Sequence, residues 1–568
     1  MEISGWLLFI LLVQVIHGFG TWKLYVKAGR KAWEAFIPVY NGIVLMQIIN
    51  RPKWWILLLF IPVINLFLFP IIWIETLRSF GKKSTLDMVL GVVTLGFYIT
   101  YVNYTQETTY HANRDLKAPN KTMDTLGSLS FAVIVATLVH TYFIQPYTIP
   151  SPSLEKSLLV GDFLFVSKFH YGARTPMTPI AAPMVHDTLP IIKTKSYLAK
   201  PSLPFFRIPG FEKIKRNEIV VFNYPADTAF NMYIAADKRY DKPIDKKTNY
   251  VKRCTAIPGD KLEIKDGIIY INGKKSILPD RAHPQYMHKV YAKTGVASTT
   301  LLENGSTEFV RKFITTIYNE NQANALTPYA LGSSRNEDGS IIFVTDQRGV
   351  PNNVVNQFSI ALTEVNDFER EANLTLANAD KLRKNSSIDS VVRIIFKKNL
   401  LSKDIFPGNT NWTVDNFGPI FLPEAGKTIE INKENIAFYK KVIGEYDRND
   451  LKINGNEIRI NGQVATSYTF KQDYYWMMGD NMHKSLDSRY WGFVPADHIV
   501  GKPIFIWMSI DGINDGIKNW SIRWDRLFTT VSGEGQPQSY FKYFLFALAA
   551  YFAFDYFRNK KKKKEQSS

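Results

Sequence analysis

Hydrophobic positions along the chain follow two rhythms. In the first 144 residues and near the C-terminus they form long uninterrupted blocks; between about 150 and 530 they shorten to strand-length runs alternating with polar positions and broken by Gly, Pro, Asn and Asp. The long blocks predict membrane helices over 3–19, 54–74, 88–102, 126–144 and 540–557. Block 54–74 carries no charge and gives the strongest signal; its Pro62 and Pro70 are tolerable where neighbouring helices re-satisfy the freed carbonyls. Block 88–102 is shorter and contains glycine. Segment 36–50, interrupted by Pro38, Asn41 and Asn50, predicts an amphipathic stretch lying in the membrane interface.

The short runs predict strands. Residues 218–225 read as a buried strand closed by Pro225, and 260–273 as two strands joined at Asp266-Gly267 with a second turn at Asn272-Gly273. A similar phrase recurs at 451–462. Together they point to a mainly β unit with few helices. The layout this implies is a multi-span module at 1–105, a cytoplasmic linker at 106–125 and an anchor at 126–144. A catalytic-domain candidate follows in two parts, 145–275 and 451–530, around a polar, Asn-rich insertion at 276–450 read as a β-rich subdomain. A transmembrane helix at 540–557 and a basic tail at 558–568 complete the chain. Segment 174–211, rich in proline and apolar residues, reads equally as an extended loop across the sheet or as an apolar surface resting on the bilayer.

Charge orients this layout. The formal net charge is +18, and Lys560 to Lys564 are five consecutive lysines directly after an apolar block. That placement favours a cytoplasmic membrane flank over nucleic-acid binding. With the tail inside, everything from 144 to 540 lies outside and Lys117 and Lys121 lie inside. The simplest drawing has five spans and an outer N-terminus, and it leaves Arg78, Lys82 and Lys83 outside, against the positive-inside trend. Lys23, Lys27, Arg30 and Lys31 follow the first block rather than precede it, so that block reads as a retained segment, not a cleaved leader. The single cysteine, Cys254, excludes an internal disulfide.

The candidate chemistry begins where the anchor ends. Ser151 and Ser153 are flanked by Pro150 and Pro152, which stiffen the loop as a pre-positioned nucleophile requires; an ordinary Pro/Ser turn has the same composition. A serine needs a base. Among the nine histidines, His170, His483 and His498 show no obvious carboxylate partner, and no zinc-ligand spacing occurs. A desolvated lysine is the other solution. In a strand through 250–256, alternation sets Lys252 on one face with Tyr250 and Cys254, and Arg253 on the other; an exposed lysine on an edge strand would show the same spacing.

Four blocks, in order, carry a family resemblance. They are Pro-Ser-x-Ser with Gly161-Asp162 and Lys168; residues 219–225; Tyr250-Val-Lys-Arg with Pro258-Gly-Asp260; and Met478-Gly-Asp-Asn481 followed by residues 485–495 and 499–501. They resemble the bacterial type I signal peptidases, membrane-bound Ser/Lys leader peptidases. The resemblance implies a mainly β catalytic domain with transmembrane segments attached and no cofactor. It implies Ser153 as nucleophile, Lys252 as general base, and the Ser153 amide with the Ser151 hydroxyl as oxyanion donors. It also implies Ser485 orienting the lysine, Asp487 with Arg489 as a supporting ion pair, and Tyr250 shielding Lys252 from water. The implied function is serine endopeptidase removal of signal peptides from exported preproteins, with small residues at −1 and −3, at the outer face of the cytoplasmic membrane. Membrane lipid and the translocation machinery are the further implied partners. The chain departs from the family pattern at Pro152, Leu154, Lys156-Ser157 and Met482-His483-Lys484, which also fits a weak or inactive homologue that binds signal peptides or the export machinery.

Overall fold

Proline and glycine cut the N-terminal apolar blocks into pieces. The computed structural model describes residues 3–118, 120–230, 239–398 and 403–567, the first two and last seven of these as backbone only, so the side chains of the lysine run 561–564 lie outside the described part. Helix α1, Ile3–Lys27, is continuous. Block 54–74 is not one span: α3, Trp55–Leu59, and α4, Ile64–Ser79, are split around Pro62, which lacks an amide hydrogen and crowds the preceding turn. Helix α2, Tyr40–Ile48, begins after the same phrase, Phe-Ile-Pro-Val-x-Asn, at 36–41 as α4 does at 60–65, and both valines, Val39 and Val63, are held at positive φ. Block 88–102 also divides. Helices α5, Thr85–Val93, and α6, Phe97–Thr105, reverse at Leu95 and Gly96, both at positive φ.

Segment 36–50 packs one face into the helical module. Val44, Met46 and Ile49 of α2 and its C-cap are fully buried in the module's core, and Asn41 donates to Gln14 Oε1 and to the Ala35 carbonyl. Half-length helices that double back also change the topology drawn from charge. Lys27 Nζ donates to Thr108, His111 N to the Ser79 carbonyl, and Arg78 Nη2 to the Lys117 carbonyl at 2.7 Å. Arg78 therefore shares an end of the module with Lys117, not the opposite one. Glu75, buried at that end, pairs with Arg51, Arg78 and Arg114.

Among the described residues, two helices are long and apolar enough to cross a membrane, Gly5–Lys27 and Lys121–Phe143. The second is α7, Lys121–Leu138, continued by a π turn at Val139–Phe143. The C-terminal helix α8, Phe541–Ser567, has its apolar part over 541–557, about 25 Å at 1.5 Å per residue.

The chain leaves α7 directly into the main sheet. Its strands are β1 Ile144–Thr148, β2 Asp162–Ser167, β3 Ile219–Asn223, β4 Asn249–Ala256, β5 Tyr474–Met478, β6 Val494–Pro495 and β7 Ile499–Asp511, in the order β1-β2-β7-β3-β4-β5-β6 with every pair antiparallel. The continuous apolar run of β3 is buried at all five positions, as a central strand covered on both faces requires. Strands Lys261–Lys265 and Ile268–Ile271 form a hairpin whose turn residues Asp266 and Gly267 both take positive φ.

Among the described residues four small sheets lie between this hairpin and β5: one pairs Thr428–Glu430 with Ser467–Thr469, one joins Leu451–Asn454, Glu457–Ile460 and Gln463–Val464, and the other two precede them. Gln285–Tyr291 pairs with Glu369–Thr375 and Ser390–Arg393, and Arg311–Thr315 sits between Ile341–Thr345 and Leu362–Val365. Residues 405–443 behave differently: Trp412, Phe417 and Tyr439 join Leu262, Trp476 and Phe493 in the largest apolar core. Segment 174–211 contains no regular strand. It exposes Phe206, Ile191 and Phe211, and Trp6 Nε1 of α1 donates to its Ser202 carbonyl.

Candidate active site

The serine loop is a short 3-10 turn, Pro152–Leu154, entered from an exposed, extended Ser151. Pro152 occupies the first position of that turn, where φ near −65° is already right and the missing amide would have had no intrahelical acceptor. Leu154 anchors the turn in the core with Ile149, Leu158 and Leu164, leaving the Ser153 side chain buried at the base of the loop. Two carbonyls of the turn are held from across the molecule: Asn481 N donates to Ser153 O at 3.1 Å and Asn481 Nδ2 to Pro152 O at 3.0 Å.

Strand pairing brings the lysine to the same place. Met477 and Met478 of β5 pair with Cys254 and Arg253 of β4, so the next residue, Gly479, continues towards Lys252. A Cβ on Gly479 would lie 2.3 Å from Ser485 Oγ and 2.4 Å from Ser153 O. Only glycine allows that approach, and Lys252, Ser153 and Ser485 converge around it. Lys252 is 4% exposed. Burial pulls its ammonium down to about 8; the Asp487 and Asp480 carboxylates oppose that shift and Arg489 adds to it. Tyr250 lies with its ring 5.9 Å from Lys252 Nζ, stacked on Tyr224 and edge-on to Trp491. Among the described residues, Ser153 Oγ, Lys252 Nζ and Ser485 Oγ make no hydrogen bond within 3.5 Å, and Ser485 Oγ is fully enclosed. Polar groups left without partners in the protein are free to bond a substrate.

The ion pairs around them are tightly built. Arg489 and Asp487, both fully buried, form a two-point contact, with Nε to Oδ1 at 2.9 Å and Nη2 to Oδ2 at 2.7 Å. Asp487 Oδ2 also accepts from Gly479 N. On the other face of β4, Arg253 clamps Asp480 through Nε at 2.7 Å and Nη2 at 2.5 Å, and Asp480 takes the Ser157 hydroxyl of the serine loop. The histidine reading changes: His483 Nε2 lies 3.0 Å from Asp415 Oδ2 and His498 Nδ1 lies 2.6 Å from Asp497 Oδ1, so both have carboxylate partners. His483 Nδ1 accepts from Met287 N and so ties the 482–484 loop to the Gln285–Tyr291 strand, while His170 Nδ1 pairs with Ser167 Oγ.

The residues that sequence reasoning missed come from between the two catalytic parts. Glu308 Oε2 accepts from Asn373 Nδ2 at 2.6 Å and from Asn481 Nδ2 at 2.7 Å, and Asn373 Nδ2 donates to Asn481 Oδ1. Gln285 Nε2 donates to Glu155 O and its backbone to Asp480 O. Glu155, half-buried, is pushed up to about 7 by desolvation and by the nearby Glu308 charge. No local spacing marks Glu308 or Asn373. The only hint was Asn481 beside Gly479-Asp480, an amide that must find partners once buried.

Comparison with known proteins gives two family matches. Residues 122–336 and 423–508 match the family described as signal peptidase, peptidase S26, and residues 33–113 match a family of unknown function. Curated relatives include signal peptidase I of Buchnera aphidicola subsp. Baizongia pistaciae, 23% identical over 68% of this chain and 77% of that protein. Signal peptidase I of Buchnera aphidicola subsp. Acyrthosiphon pisum is also 23% identical, over 71% and 81%. That of Rickettsia typhi is 27% identical over 29% and 48%.

Proposed function

The chain belongs to the signal peptidase family, peptidase S26, and we propose that it cleaves signal peptides through Ser153 and Lys252. It is a signal peptidase and a serine endopeptidase, as its family and relatives are. Ser153 Oγ attacks the scissile carbonyl while neutral Lys252 Nζ takes its proton. The oxyanion that forms is met by the Ser153 amide and the Ser151 hydroxyl, and collapse expels the amine with the proton from Lys252. Water, deprotonated by the same amine, then releases the acyl group. Ser485 Oγ orients the amine between turnovers. The observation that carries this reading is a lysine at 4% exposure and about 8, on the strand paired with the one that leads to the enclosed, unpartnered Ser485 hydroxyl.

The substrate is an exported preprotein with small residues at −1 and −3. The protein sits in a bacterial cytoplasmic membrane with the catalytic sheet outside and the shared end of α1, α2, α4 and α6 inside, next to Lys117 and Lys121. Segment 276–450 acts as an inserted brace for the serine loop. Incubating the purified protein with a preprotein tests the reading. Mature product with an N-terminus at the −1/+1 junction is expected, and none from Ser153→Ala. Absence of product from the unaltered protein, or equal product from Ser153→Ala, would overturn it.

A further inference from the structure

A second buried lysine lies on the same sheet, away from the serines. Lys168, directly after β2, is 7% exposed, and among the described residues its Nζ makes no hydrogen bond and no ion pair; the Tyr147 ring lies 5.6 Å away. It lines a cavity of about 150 Å³ between the end of α7 and the catalytic sheet, together with Thr137, Thr141, Arg174, Asp245 and Lys246. Three side chains of basic type thus face one acid. That acid is already engaged, since Asp245 Oδ2 accepts from the Met177 and Thr178 amides and the Thr178 hydroxyl. Arg174 and Arg207 add to the effect of burial in pulling Lys168 well below its ordinary value. A buried amine without an acceptor is unfavourable, and an anion entering the cavity would pair it.

The position says which anion. The cavity opens where α7 leaves its apolar stretch, with Val63 of the helical module on its rim. The neighbouring loop exposes Ile180, Met184, Phe206 and Phe211, and Met184 itself lines the cavity. Exposed apolar side chains on the loop beside a basic pocket at the end of an apolar helix fit a lipid surface. We propose that this cavity binds the phosphodiester headgroup of an anionic phospholipid in the leaflet beside the catalytic domain, with Lys168 Nζ as the principal donor and Arg174 and Lys246 supplying the field. The bound lipid would set the height and tilt of the sheet over the bilayer.

The test uses the full-length protein in non-ionic detergent. It is titrated with dihexanoyl-phosphatidylglycerol, dihexanoyl-phosphatidylcholine or inorganic phosphate, with stoichiometry read by native mass spectrometry and affinity by calorimetry. One phosphatidylglycerol per chain is expected, bound more tightly than either alternative. Lys168→Met should weaken it about tenfold or more, the contribution of one charge-assisted hydrogen bond, and Lys168→Arg should retain it. Lys168→Met should keep or raise its unfolding midpoint, because an unpaired buried amine is gone. Undiminished binding by Lys168→Met, loss of binding by Lys168→Arg, or affinity for phosphatidylcholine or inorganic phosphate equal to that for phosphatidylglycerol would overturn the proposal.

Discussion

Lys252 and Lys168 are two lysines of one sheet, both more than nine-tenths buried, both pulled down by desolvation and neither in an ion pair among the described residues. Their surroundings differ. Lys252 has carboxylates, Asp487 and Asp480, that oppose the loss of its proton, so it comes to about 8, and the enclosed Ser485 hydroxyl of the same site lacks a partner. Lys168 is lowered by burial first, with Arg174 and Arg207 adding to that direction, and it lines an open polar cavity. A depressed lysine is therefore not by itself the mark of a general base. The group that lies within reach decides whether the amine moves a proton or holds an anion.

The strongest way to break this comparison is to remove each amine in turn. Lys252→Met is expected to lower kcat by about 10⁴-fold or more, as loss of a nucleophile–base member does, and Ser153→Ala to match it without the two effects adding. Lys168→Met should leave cleavage of a short soluble peptide unchanged. If Lys168→Met were as damaging as Lys252→Met in that assay, the division of roles between the two lysines would fail.

The pH profile sharpens the Lys252 side. The amine must be neutral to accept the serine proton, and its value is about 8. The kcat/KM of the free enzyme should therefore fall about tenfold per unit as pH drops below 8 and level off above it. An acid limb near the ordinary lysine value would show that the amine is solvated in solution. Lys168 titration should leave no mark on this profile.

Gly479→Ala tests the convergence itself. Its Cβ would meet Ser485 Oγ and the Ser153 carbonyl, the latter being backbone that cannot swing aside. Overpacking of this kind costs about 1–3 kcal/mol, and a displacement of the serine by an ångström costs about 10²-fold in rate. Peptide cleavage should drop by that order while phosphatidylglycerol binding at Lys168 stays intact. A drop in both would mean that the substitution disturbs the whole sheet.

The catalytic sheet was far more legible in the sequence than the helical module. Turn chemistry at Asp266-Gly267, the apolar run of β3 and the alternation through Tyr250, Lys252 and Cys254 act over a few residues, and local pattern carries them. In the module the same kind of pattern misled, because hydrophobicity reports burial and not continuity. Pro62 and Leu95-Gly96 break blocks whose composition suits a full span, and Arg78 finds Lys117 only because the halves double back. The support for the serine loop was invisible for a third reason. Asn373 lies 108 residues from Asn481, and nothing near either residue encodes their meeting.

That support gives the smallest expected effect and the most specific one. Glu308 holds Asn481, and Asn481 holds the Pro152 and Ser153 carbonyls, so the charge on Glu308 reaches the serine loop through one side chain. Glu308→Gln keeps an acceptor oxygen but trades charge-assisted hydrogen bonds for neutral ones. A loss of about 1 kcal/mol, or about fivefold in kcat with KM unchanged, is the expected size. The same substitution removes a like charge from Glu155, now raised to about 7, and should lower that value towards the ordinary carboxylate range. Measuring the Glu155 titration by NMR alongside kcat separates a positioning role from a merely structural one. A fall in kcat with no movement of Glu155 would place the effect of Glu308 elsewhere than at the serine loop.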